Sequence, residues 1–144
     1  MKMYNRFITA ITTAAALTAA APARAQEVHL VAHVPFEFSV NGVNFGGNTY
    51  RLSRMDGHPE ILFLRGDEAG TFLRTDVVSL RGTDEAPSLV FHRYGDQYFL
   101  RQVRWRGETR FDLPETRAER RAAEDYRERA AALRETVIVP ASEK

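Results

Sequence analysis

Apolar residues recur at period two through Val28, Leu30, Ala32 and Val34, the spacing that sends alternate side chains to one face of a strand. Pro35 interrupts the pattern, so residues 36–40 are expected to form a second strand beyond a bend. Asn41-Gly42 and then Gly46-Gly47-Asn48 offer the positive φ of tight turns, and residues 49–54 read as a third strand. Asp56-Gly57-His58-Pro59 is a turn by composition. The run Ile61-Leu62-Phe63-Leu64 after it has the pattern of a strand covered on both faces. Residues 71–80 supply another strand, bent near Thr75-Asp76, and residues 81–87 a polar loop.

The clearest local unit spans residues 88–105. Gly95-Asp96 is a two-residue connection with glycine in the first central position, as primed hairpin turns require. That turn pairs Tyr94 with Gln97, Arg93 with Tyr98, His92 with Phe99 and Phe91 with Leu100. Strict alternation then puts Leu89, Phe91, Arg93, Tyr98 and Leu100 on one face, and Val90, His92, Tyr94, Phe99, Val103 and Trp105 on the other. Both faces are rich in apolar and aromatic groups, which places the hairpin centrally in its sheet.

Periodicity changes after residue 113. Pro114 suits the first position of a helix, and residues 114–135 are strong helix formers with a narrow apolar stripe of Ala118, Ala122, Tyr126, Ala130 and Leu133. Residues 136–144 contain Val137-Ile138-Val139-Pro140, a run apolar enough to add a strand to the sheet or to dock on a partner's sheet edge. The expected fold is mainly β: an antiparallel sandwich or small barrel of six to seven strands, residues 26–113, with one C-terminal helix.

The first 25 residues follow a different logic. Lys2 and Arg6 give a basic start, an apolar run extends over residues 7–21, and Ala23-Arg24-Ala25 precedes Gln26. These are the three zones of a secretory signal peptide, and the run falls short of the roughly 20 apolar residues that span a bilayer. Cleavage after Ala25 would remove three basic and no acidic residues. The remaining 17 basic and 19 acidic residues would turn the net charge of +1 into −2. Such a balance gives no global field for nucleic acid or for an anionic membrane. The chain has no cysteine, so a periplasmic or secreted domain of this size must be held by its core alone.

Residues 34–42 (Val-Pro-Phe-Glu-Phe-Ser-Val-Asn-Gly), Thr49-Tyr50-Arg51-Leu52 and above all residues 89–100 (LVFHRYGDQYFL) resemble a family of small exported bacterial β-rich proteins of unknown function. The resemblance covers most of residues 27–120. Where that family usually has a Leu-Pro-Ala-Gly turn, this chain has Phe45-Gly46-Gly47-Asn48, which keeps a turn without the proline. The resemblance implies export and a shared fold, and it carries no catalytic residue.

Four histidines raise the question of metal binding. His29 and His33 would share a helix face, but on the expected strand they stand about 13 Å apart, too far for one ion with ligands near 2 Å. No metal and no cofactor is therefore expected. His92 lies on an apolar face with Tyr94 two residues on and Asp96 in the turn. Its functional reading is a general base or pH switch, and its structural reading, which weighs more, is a hydrogen-bonded histidine locking the hairpin into its sheet. Arg101, Arg104, Trp105, Arg106 and Arg110 form a basic cluster around one aromatic ring, suited to an anion or a glycan. Alternation, however, sends Arg101 and Trp105 to one face and Arg104 and Arg106 to the other, which favours Trp105 in the core and arginines paired with local acids. No Gly-x-Ser-x-Gly turn is present. The expectation is a non-enzymatic binding or structural module whose partner is an envelope protein or a glycan. A shallow enzymatic site near His92 is the alternative, and the Arg101–Arg110 cluster a third. No nucleic-acid partner is expected, and no membrane span after cleavage.

Overall fold

The computed structural model describes residues 28–82, 85–105, 109–130 and 134–144; the proposed signal sequence lies outside them. The strands are β1 (Leu30–Val34), β2 (Phe38–Val40), β3 (Val43–Phe45), β4 (Asn48–Met55), β5 (His58–Arg65), β6 (Gly70–Arg74), β7 (Asp76–Ser79), β8 (Ser88–Tyr94), β9 (Gln97–Trp105), β10 (Thr109–Asp112) and β11 (Glu135–Glu143), with one helix, α1 (Arg117–Ala130), before the last. They form a single sheet in the order β3-β2-β9-β8-β11-β1-β4-β5-β6, with β10 joining β9 to β7, curled into an open half-barrel.

The mainly β class holds, but the described residues contain eleven strands where six to seven were expected. Asn41-Gly42, at φ 51° and 77°, turns so tightly that three residues on each side suffice for β2 and β3. Thr75 breaks the fifth expected strand in two, because its N–H and hydroxyl both donate to the Glu60 carbonyl, at 2.8 and 2.9 Å. The remaining two are β10, in a stretch between the hairpin and Pro114 to which no strand was assigned, and β11, from the tail. His58 and Pro59 belong to β5 rather than to the preceding turn.

The helix is shorter than the expected span of residues 114–135 at both ends. Thr116 caps it, its Oγ1 accepting from the Glu119 N–H at 3.2 Å, so Pro114 stands ahead of the helix. Glu135 already belongs to β11. That strand pairs with β8 through Glu135–Pro140 and with β1 from Ala141 onward. Pro140, which has no N–H to offer a ladder, sits where the strand changes neighbours.

The core fills the inside of the curl: Leu30, Val34, Phe38, Leu52, Leu64, Leu89, Phe91, Val103 and Phe111 are all buried there. On the opposite face a smaller cluster of Tyr94, Phe99, Ala122 and Ala123, with Tyr126 against it, seats α1 on β8 and β9. The β5 run is covered on one face only. Leu62 and Leu64 are buried, while Phe63 packs its ring against the 59 % exposed Phe72 of β6, 4.8 Å between centroids. The helix lies over β8 and β9 and leaves that part of the sheet uncovered.

The hairpin register is the expected one from Tyr94↔Gln97 to Phe91↔Leu100. Beyond it the faces depart from expectation. Val90 pairs with Gln102, so Arg101 is an extra residue in a β-bulge. The one-residue slip rotates Val103 and Trp105 into the main core beside Leu89 and Phe91, not onto the His92 face.

Candidate functional site

The outer face of the hairpin gathers most of the titratable groups singled out above, around a residue that local patterning did not suggest. Glu119, in the first turn of α1, is 1 % exposed. Its Oε1 lies 3.0 Å from His92 Nδ1 and accepts from the Tyr94 hydroxyl at 3.3 Å; its Oε2 accepts from Arg101 Nη1 at 2.9 Å. Because the bulge leaves Arg101 on the same face as Phe99, its guanidinium can reach under the helix. Burial by itself would raise the Glu119 carboxyl, but the hydrogen bonds and charges of His92 and Arg101 hold it below the ordinary carboxylate value. Burial and the neighbouring Glu119 carboxylate push the Tyr94 phenol up.

The arrangement fastens helix to sheet. Nδ1–H of His92 can donate to the carboxylate in either the neutral or the charged ring, which fixes the ring's orientation. Its side chain is 14 % exposed. Two shallow grooves flank the site. One, of about 400 Å3, is lined by Glu37, Ser39, Asn44, Asp96, Gln97 and Ala118, among others. The second, of about 360 Å3, runs between the hairpin turn and α1, past Tyr94, Asp96, Asp125 and Tyr126. His92 lines neither. Asp96 is exposed at the turn, where Gly95 takes φ 63°, and is not among the donors and acceptors around Glu119.

The arginine cluster is dispersed. Trp105 is 5 % exposed in the core, edge-on to Phe111 at 6.0 Å and with the Arg54 guanidinium 4.8 Å above its ring. Arg101 goes to Glu119, Arg104 Nε lies 3.1 Å from Glu85, and Arg110 Nε lies 2.9 Å from Asp112. Arg101 and Trp105 stand on opposite faces instead of the shared one expected, because the bulge intervenes. Arg106 lies outside the described residues.

Among the described residues no group of three or more His, Asp or Glu is placed to hold a metal ion, and no helix is long and apolar enough to cross a membrane. His33 Nδ1 meets the Thr49 hydroxyl at 3.2 Å and His58 Nδ1 lies 3.4 Å from Glu60. Glu119 did have a local signal: Thr116-Arg117-Ala118-Glu119 is the Thr-x-x-Glu pattern of a capping box. The pattern marks the helix start, and nothing in it says that the carboxylate is used by β8 and β9. Comparison with protein-family models, with curated proteins and with solved structures finds no match for this chain.

Proposed function

We propose that this protein is a small exported, non-enzymatic binding or structural module of the periplasm or cell exterior. The observation that carries the reading is the Glu119 bridge: the one histidine positioned for chemistry has its Nδ1 engaged by a buried carboxylate that ties α1 to the sheet. A group so used contributes to a rigid outer face, and its neighbours Tyr94 and Arg101 are drawn into the same tie. The edge strands β3 and β6 and the exposed Phe72 ring support the binding half of the reading. Export rests on the N-terminal pattern, and mass spectrometry of the protein recovered from cells should find Gln26 as its first residue.

The enzymatic alternative has one observation in its favour, since a carboxylate on Nδ1 is also how a catalytic imidazole is oriented. Affinity capture from the cell envelope separates the two readings when run beside His92→Gln, which keeps a donor toward Glu119. The module reading expects the variant to hold its partner as the parent does. A variant with an unchanged melting midpoint that had lost turnover of an envelope polymer would overturn it.

A further inference from the structure

On the outer face of the sheet, away from α1, Arg51 of β4 and Arg65 of β5 stand directly opposite each other in the ladder. Side chains in that relation have Cβ atoms about 5 Å apart, and like charges so placed destabilise the sheet. Arg104 and Arg110 also face each other, in the β9–β10 ladder, but there each has a carboxylate within ion-pair distance, Glu85 and Asp112. Among the described residues neither Arg51 nor Arg65 has one. Both are exposed, and with Val31, Thr49, Tyr50, Gly66 and Asp67 they line a depression of about 220 Å3.

We propose that Arg51 and Arg65 form a binding site for a singly charged oxyanion, a phosphodiester or a sulfate ester. Two guanidinium forks side by side present parallel N–H donors that match the oxygens of such a group, and the ligand supplies the negative charge that the ladder lacks. Asp67 sets the charge of the ligand. Its carboxylate accepts from Asn48 Nδ2 at 3.0 Å and faces the same depression, so the site as a whole carries one net positive charge. A monoanion balances that charge, whereas a dianion such as inorganic phosphate leaves negative charge uncompensated beside Asp67, meets about twice the repulsion from that carboxylate and gives up more hydration on binding. Thr49 contributes a hydroxyl, shared with His33, while its backbone N–H donates to Asn48 Oδ1 at 2.7 Å. The site is separate from the Glu119 bridge, and its failure would leave the module reading standing.

The test is a titration of the purified protein, followed by the amide and arginine Nε–H resonances, with dimethyl phosphate, methyl sulfate and inorganic phosphate, against chloride at equal ionic strength. Saturable shifts in the millimolar range confined to residues 49–51 and 65–67 are expected with the two monoanions. Arg51→Gln or Arg65→Gln should weaken binding about tenfold while leaving the melting midpoint equal or higher, since repulsion is relieved. Arg51→Lys, which keeps the charge but loses the fork, should fall between. Asp67→Asn should strengthen inorganic phosphate more than dimethyl phosphate. Shifts that rise linearly, that chloride reproduces, or that persist in both glutamine variants would overturn the proposal.

Discussion

A carboxylate sealed from water is tolerable only while its donors stay in place, and Glu119 has three of them on two strands. Glu119→Ala leaves Arg101, His92 and Tyr94 facing a void, and should lower the unfolding free energy by about 2–4 kcal/mol in a denaturant titration. The bridge also fixes a pH dependence. Because the folded carboxyl is held below its ordinary value of 4.5, the unfolded chain takes up the proton first as pH falls. Stability from this group is therefore complete above that value and is lost as pH drops through the lower, folded one. Melting midpoints measured along an acid series should show the decline, and Glu119→Gln should flatten it. A second residue-scale constraint is Gly66, where an added Cβ would come within 2.7 Å of the Tyr50 ring. That ring is buried and its hydroxyl donates to the Gly46 carbonyl. Gly66→Ala should cost about 1–3 kcal/mol through the displaced ring, readable as a lower midpoint.

Single elements differ in how much of their placement is local. The β8–β9 hairpin is legible because a two-residue turn with glycine first allows one register, and every pair from Tyr94 to Phe91 follows from it. The slip at Arg101 is not legible, since nothing in Leu100-Arg101-Gln102 marks a bulge, and it decides which face receives Val103 and Trp105. The helix start is written in Thr116 and Glu119. Thr116→Ala should cost about 1 kcal/mol by removing the cap on the Glu119 N–H, seen as reduced helical ellipticity and faster amide exchange in the first turn of α1. The apolar stripe of that helix meets the sheet at Ala122 and Tyr126. Ala118, by contrast, is exposed, and the charged Glu119 takes the buried place that an apolar residue would ordinarily fill.

At the scale of the whole molecule the decisive element is β11. It alone stands between β8 and β1 in the sheet order, so the last strand closes the seam between the two parts of the curl. A chain ending before Glu135 should expose the edges of β8 and β1. Size-exclusion and circular dichroism measurements should then show aggregation or lost cooperativity rather than a small stability shift. The amino-acid sequence by itself determined the mainly β class, the positions of most strands, the hairpin register and the presence of one C-terminal helix. Each of these follows from side-chain period, turn chemistry or propensity within a few residues. Tertiary structure decided how the strands are ordered, where β11 inserts, which face Arg101 takes, and that Glu119 meets His92 across 27 residues of chain. Those outcomes depend on loop closure and on which surfaces bury each other, and neither quantity is encoded in any local window.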